Sequence, residues 1–462
     1  MLYALLRSIA GIALRWFYRR IDVVGLERLP RNAPLLLVCN HPNALVDAML
    51  VAWGVPRRIV LTAKSTLFTH RALATLLDWV GVVPLVRRSD IEKGLMQGSQ
   101  TPQRNARAFG ALRAVLRRGG AVVIFPEGIS HDNPSLAPLK TGAARIALEA
   151  RDEAHVGNLH IVPIGLTFER KDAPRTRVLV QIGEPIALDQ WRAQGEVAVN
   201  QLTEEIDSRL RRVTLNYESV DDASRARALS SLLAVLWRDE LESIGRARSL
   251  RVDVSLAERI EAARHALARN ADDGLRARAD ALVRSVAELD EVLDGHGVAL
   301  EDVSVSSQRR HAVRFVLREA WIIALGGPIA LWGMINHWIP FNAARMIARR
   351  SVESATDPAM RTIVAGAALV LAFYTAQGVA VAAFAGWIPA LVYVVSLPLA
   401  ADVNFLLRDR LRRALQRART YLLFRRRPKL HARLQADLQR VRAEAMEIES
   451  QLNFTSIPAD IA

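Results

Sequence analysis

Forty consecutive residues, Thr362 to Ala401, carry no formal charge. A helix needs about 20 apolar residues to cross a bilayer, so forty suit a pair of spans. The turn between them is expected near Ala385-Gly386-Trp387-Ile388-Pro389. A second stretch, 320–341, holds no charged residue and a single histidine, His337. Trp321, Trp332, Trp338 and Trp387 stand near segment ends or breaks, where interfacial aromatics collect. A helix hairpin inside a soluble core is the competing reading, and the forty-residue length disfavours it.

Arginine placement bears on orientation. The chain has 62 Lys+Arg against 47 Asp+Glu, a formal charge of +15, and only five of the basic residues are lysines. Arg309, Arg310, Arg314 and Arg318 precede the first apolar segment. Arg345, Arg349, Arg350 and Arg361 lie between the segments, and Arg408 to Arg427 follow the last. The positive-inside rule prefers all three clusters on the cytoplasmic side, which requires an even number of crossings. The expectation is that 320–341 is a re-entrant or shallow hairpin broken at Gly326-Gly327-Pro328, while 362–401 crosses twice. Three crossings are the alternative. The N-terminus, MLYALLRSIAGIALRWFYRR, intersperses arginines with apolar residues and ends in aromatics. It reads as an uncleaved interfacial helix over residues 1–20, or else as an amphipathic helix packed on the domain.

An apolar content of 51% excludes intrinsic disorder. One cysteine, Cys39, excludes an intramolecular disulfide and a Cys-based zinc finger, and fits a reducing compartment. The basic charge alone would admit nucleic acid, but the arginines cluster beside membrane segments, so no nucleic-acid partner is expected. No Gly-x-Ser-x-Gly elbow of a serine hydrolase occurs.

Between 21 and 188 the pattern is α/β. Apolar runs at 34–39, 58–62, 121–125, 160–164 and 177–182 read as buried strands, and helical stretches such as 103–118 and 141–150 alternate with them. A mainly parallel sheet flanked by helices is expected. Residues 189–313 read as a charged helical region, a spacer or partner surface. Residues 314–428 form the membrane region, with apolar segments 320–341 and 362–401, and 429–462 a helical tail.

The chemistry concentrates at strand ends. The strand closing on Cys39 runs into Asn40-His41-Pro42-Asn43-Ala44-Leu45-Val46-Asp47. A carboxylate on one imidazole nitrogen fixes the tautomer and leaves the other as a base for a hydroxyl. Gly81 to Arg88 is an apolar strand delivering two guanidiniums, whose forks match phosphate oxygens. Phe125-Pro126-Glu127-Gly128-Ile129-Ser130-His131 closes another apolar run. Lys140-Thr141-Gly142 opens a helix in a way that favours an anion, and Ile161-Val162-Pro163-Ile164-Gly165 is a strand. Singly, each block has a plainer reading as a cap, a surface contact or core.

Together, and in this order, the blocks resemble the glycerolipid acyltransferase family, which includes the lysophosphatidic acid and glycerol-3-phosphate acyltransferases. The resemblance covers about Val24 to Leu188 and includes Gly183-Glu184-Pro185-Ile186. It implies His41 as general base, Asp47 as its orienting partner, and Arg87 on the acceptor phosphate with Lys140 assisting. It implies that Glu127 and Gly128 position the glycerol part and that Pro163 shapes the acyl-donor side. No metal and no cofactor are implied. The donor is acyl-CoA or acyl carrier protein; the acceptor is glycerol 3-phosphate or lysophosphatidic acid, presented at a lipid bilayer. The protein is then an integral membrane enzyme with its catalytic domain on the cytoplasmic face, in the inner membrane if bacterial.

Two details depart from the common pattern. Five residues rather than four separate His41 from Asp47, and Ile129-Ser130-His131-Asp132 stands where Thr-Arg-Ser is usual. Both look like the glycerol-3-phosphate and dihydroxyacetone-phosphate acyltransferases of fungi and their bacterial relatives. The expected acceptor is therefore the sn-1 hydroxyl of glycerol 3-phosphate. The alternatives are acylation of a lysophospholipid to phosphatidic acid and, in another class, a non-catalytic membrane scaffold.

Overall fold

In the computed structural model the described residues are 2–69, 71–86, 101–191, 195–236, 249–269, 273–303, 309–350 and 358–451. They form two compact units. The first holds residues 1–216 and 346–367, and the second 217–345 and 368–462.

The first unit opens with α1 (Leu2–Phe17) and β1 (Arg20–Val24), then β2 (Leu35–Cys39), α2 (Ala44–Gly54), β3 (Ile59–Val60) and β4 (Thr62–Lys64). Next come α3 (Arg71–Val80), β5 (Val83–Leu85), α4 (Thr101–Arg117), β6 (Ala121–Ile124) and α5 (Gly142–Asp152). It closes with β7 (His160–Phe168), β8 (Arg177–Ile182), β9 (Ile186–Ala187) and α6 (Gly195–Arg211). The main sheet runs β1-β8-β7-β2-β6-β3, with β9 on β7, and β4 and β5 pair separately. Among the described residues only β7–β8 and β7–β9 are antiparallel. The mainly parallel sheet expected from strand–helix alternation is therefore the fold observed.

Alternation along β2 sorts the core. Leu36 and Val38 join a cluster with Leu112, Leu116, Ile146 and Leu202 of α4, α5 and α6. Leu35, Leu37 and Cys39 face the other way, into a cluster with Leu14 and Phe17 of α1 and Val46 and Leu50 of α2. A strand buried on both faces must be apolar at every position, as Leu-Leu-Leu-Val-Cys is. One boundary differs from the sequence reading, and one of its two alternatives for the N-terminal helix describes its packing. Helix α6 packs Ala198, Leu202, Ile206 and Leu210 onto the sheet, so the first unit continues to Asn216, beyond residue 188. Helix α1 is also part of the domain core, while Leu5 and Ile12 remain exposed on its other side.

The second unit is helical: α7 (Val220–Leu236), α8 (Leu250–Arg269), α9 (Asp273–His296), α10 (Arg309–Arg350), α11 (Pro358–Ala385), α12 (Trp387–Arg426) and α13 (Pro428–Gln451). Helices α10 and α11 contribute their ends 346–350 and 358–367 to the first unit. Three helical stretches, Ala312–Ile347, Thr362–Ala385 and Trp387–Arg426, are long and apolar enough to cross a membrane. The expected turn falls at Gly386, between α11 and α12. The expected break at Gly326-Gly327-Pro328 is absent: α10 is helical throughout, with Pro328 and Pro340 inside it. Two glycines weaken a helix without blocking it, and one proline removes a single intrahelical donor.

Cys39 is fully buried in β2, and burial pushes its thiol well above the usual range. It is expected to stay unlabelled by a thiol reagent at pH 8 in the folded protein and to react fully once the chain is denatured. Absorbance of the released chromophore measures both.

Candidate active site

Past Cys39 the main chain leaves the sheet and Asn40 extends the ladder with its side chain. Its Nδ2 donates to Leu166 O at 3.0 Å, and its Oδ1 accepts from Leu166 N–H at 2.7 Å. His41 follows at this C-terminal edge, where open α/β sheets place their ligands. Its ring stacks on Phe125 with centroids 4.1 Å apart. Its Nδ1 lies 3.0 Å from Oδ2 of Asp47 on α2, and the Asn43 N–H donates to the same oxygen at 2.7 Å. Asp47 is 0% exposed, and its Oδ1 has no hydrogen-bond partner among the described residues. Burial pushes its carboxyl up, against the opposing pull of His41 and the Asn43 N–H. A carboxylate only accepts, so the ring proton belongs on Nδ1 and Nε2 is left basic.

The five-residue link between His41 and Asp47 contains one strained position, Ala44. Its φ of 46° lies in the left-handed region, at a cost of roughly 1 kcal/mol or more for a residue with a Cβ. Its N–H donates to Ser130 Oγ at 3.1 Å. With five residues between them, His41 still meets Asp47.

Glu127, 2% exposed, points into the protein. Its Oε1 accepts from the His41 backbone N–H at 2.8 Å, and its Oε2 from Ala137 N–H at 2.8 Å and from His131 Nε2. The Asn133 N–H donates to His131 Nδ1 at 3.1 Å, which assigns the proton of the neutral ring to Nε2. Gly128 has a φ of 70°, and a Cβ there would lie 2.7 Å from Lys140 Nζ. The lysine stem therefore lies over a backbone that only glycine leaves open. Lys140 itself is exposed, just before α5.

The expected residues divide into three groups. His41, Asp47 and Glu127 form one bonded cluster, with Gly128 and Lys140 beside it. Pro163 is elsewhere: it sits buried within β7 opposite Val38, its carbonyl accepting from Gly183 N–H at 2.8 Å, as core. Arg87 lies outside the described residues.

The family model described as Acyltransferase matches residues 20–167. This segment is an acyltransferase domain. An uncharacterised acyltransferase of Schizosaccharomyces pombe is 22% identical over 259 residues, 39% of this chain and 38% of that protein. Glycerol-3-phosphate O-acyltransferase 2 of Saccharomyces cerevisiae is 35% identical over 118 residues, 26% of this chain and 16% of that protein. The 1-acyl-sn-glycerol-3-phosphate acyltransferase of Cocos nucifera is 28% identical over 194 residues, 40% of this chain and 56% of that protein. The chain therefore spans only part of the length of each of these relatives. The crystal structure of the 1-acyl-sn-glycerophosphate acyltransferase of Thermotoga maritima aligns with a TM-score of 0.33 at 20% identity, over 45% of this chain and 78% of that one.

A second ring of contacts in the acyltransferase domain has no signature in sequence spacing. Lys171, between β7 and β8, donates from Nζ to Pro42 O at 2.8 Å and pairs with Asp132. It thereby joins the loop of His41 to the loop of Glu127. Asn43 Nδ2 donates to Tyr18 OH at 3.1 Å and to Lys171 O at 3.2 Å. Tyr18 is fully buried, and burial pushes its phenol up. His131 stands four residues past Glu127, and that spacing within the motif was the one available sign of their bond.

Replacing Glu127 by Ala strands the buried N–H groups of His41 and Ala137. A buried unpaired donor costs about 1–3 kcal/mol. Glu127→Ala is expected to lower the thermal midpoint by several degrees in detergent, and His131→Ala by less, read by calorimetry.

Proposed function

We propose that this protein is a membrane-bound glycerolipid acyltransferase that moves an acyl group from a thioester to the sn-1 hydroxyl of glycerol 3-phosphate. The observation that carries the reading is His41 on buried Asp47 at the sheet edge of an acyltransferase domain, with Nε2 left basic. In this mechanism Nε2 takes the proton of the acceptor hydroxyl as its oxygen attacks the thioester carbonyl. The tetrahedral intermediate expels the thiolate, which takes that proton back from the imidazolium. Asp47 holds the ring and stabilises its cationic form, as a buried carboxylate does in catalytic dyads. The thioester is already activated, so proximity and deprotonation are what the chain supplies.

Glu127 acts by fixing the loops around the acceptor. Gly128 and Lys140 face the acceptor phosphate, with Arg87 as the second cation. Pro163, a core residue of β7, bears on the acyl-donor side only by holding that strand in place. The apolar helices hold the domain at the leaflet that receives its product, and the arginines between and after them favour the cytoplasmic face. Acyl-CoA or acyl carrier protein serves as donor. The length of the His41–Asp47 loop and the Ser130-His131-Asp132 sequence favour glycerol 3-phosphate as acceptor, as does the likeness to a yeast glycerol-3-phosphate acyltransferase. The Cocos nucifera relative supports acylation of 1-acylglycerol 3-phosphate as the second reading.

Membranes holding the protein, given a long-chain acyl-CoA, are expected to make lysophosphatidic acid from glycerol 3-phosphate, seen by mass spectrometry. His41→Ala is expected to lose about 10²–10⁴-fold of that rate. Product from lysophosphatidic acid alone moves the assignment to the second acylation. Product from neither acceptor, with either donor, refutes the enzyme reading. Lys140→Ala is expected to raise KM for the phosphorylated acceptor several-fold with kcat little changed, and Lys140→Arg to restore part of the difference. Steady-state kinetics on both variants checks this.

A further inference from the structure

The direction of the three apolar helices decides how many of them cross. Along α10, successive residues meet successively earlier residues of α12. Glu319 accepts from Arg410 Nη2 at 3.0 Å, and a Cβ on Gly326 would lie 3.9 Å from Leu407. A Cβ on Gly333 would lie 2.2 Å from Ala400 O, and Asn336 accepts from Tyr393 OH at 2.6 Å. From 319 to 336 the leg of α10 is therefore antiparallel to α12. Helix α11 is antiparallel to α12 as well: the two meet at the Gly386 turn, and a Cβ on Gly378 would lie 2.9 Å from Val394.

Three consecutive crossings alternate in direction, so the first and third run parallel. Here they are antiparallel, and the α10 leg runs in the same direction as α11. The chain must return, between Asn336 and the start of α11, to the face it entered from. The return has begun by Phe341, whose ring stacks on Phe405, centroids 5.5 Å apart, twelve residues along α12 from Tyr393. Pro340 lies between these contacts, and a proline both lacks an N–H and crowds the carbonyl four residues back.

We infer that α10 is re-entrant, with its bend between Asn336 and Phe341, and that only α11 and α12 cross the bilayer. The inference rests on the membrane reading proposed above. The leg turns where Asn336 meets Tyr393, about 10 Å short of Gly386 at 1.5 Å per residue. The turn carries polar side chains that partner one another. His337 Nδ1 donates to Gly333 O at 2.7 Å, and Tyr374 OH donates to His337 Nε2 at 2.6 Å. Gln377 Nε2 donates to Asn336 Oδ1 at 3.3 Å. A bent backbone at this depth persists only where protein groups surround and satisfy it. At the entry face the exposed Arg314, Arg318, Arg345, Arg408 and Arg412 then lie together, a cationic collar for the phosphates of an anionic leaflet.

The test uses the full chain in sealed membrane vesicles of both orientations. Because Cys39 is buried, Val313→Cys, Met346→Cys, Phe384→Cys and Leu422→Cys each add one reactive thiol at an exposed site. A membrane-impermeant maleimide is expected to label 313, 346 and 422 from one side and 384 from the other. Labelling of 346 from the side opposite 313 overturns the inference, and so does labelling of 384 from the same side as 422. Trypsin on the unaltered chain gives an independent readout: it should cut between α10 and α11 from the face that exposes the C-terminal tail, and cutting only from the other face also overturns it. Alkaline carbonate separates this failure from that of the membrane reading. A chain washed off the vesicles refutes both, whereas a retained chain with the wrong sidedness refutes the re-entrant helix alone.

Discussion

Two carboxylates buried at the edge of a parallel sheet set the terms for the first unit. Asp47 and Glu127 are almost wholly withdrawn from water, and a charge in that position persists only with donors around it. The donors come from motif backbone and histidine rings: Asn43 N–H and His41 Nδ1 on one carboxylate, and His41 N–H, Ala137 N–H and His131 on the other. His41 touches both, through its ring and through its backbone. The geometry of the imidazole therefore follows from satisfying the carboxylates, and the loops that supply those donors are fixed by the same bonds.

The sheet was legible because a strand covered on both faces has no choice but to be apolar, and Leu35 to Cys39 and Ala121 to Ile124 are. The His41–Asp47 pair was legible from the motif, and the turn at Gly386 from the length of the uncharged run. The inward aim of Glu127 was not: a glutamate at a strand end can face a ligand or a neighbouring loop, and only the position of Ala137 and His131 decides. Lys171 could not be read at all, because its partners Pro42 and Asp132 are far from it in the chain and belong to different loops. Pro163 read as a site residue by family likeness, yet its surroundings are those of core. The supposed break at Gly326–Pro328 failed for a physical reason too. Propensity for bending is local, whereas the bend inferred above lies where Asn336 meets Tyr393 and His337 meets Tyr374.

The two units distribute their apolar side chains in opposite ways. In the first, apolar side chains turn inward onto the sheet and polar groups gather at its edge. In the second, Trp321, Leu325, Phe384 and Leu399 turn outward while Asn336, His337 and Asn404 turn in. That inversion is what a bilayer asks of a helix bundle, since lipid offers no hydrogen bonds to a polar group on the outside.

The buried phenol of Tyr18 bears on any attempt to make the first unit soluble. Trimming the N-terminal helix is the obvious way to remove its exposed leucine and isoleucine. Doing so would also uncover the sheet where Leu14 and Phe17 lie and strip the packing from Tyr18, the next residue, whose hydroxyl Asn43 leans on, one residue from the left-handed turn at Ala44. The helix that exposes Leu5 and Ile12 is thus also a wall beside the His41 loop, and solubility has to come from repainting its outer face rather than from cutting it away.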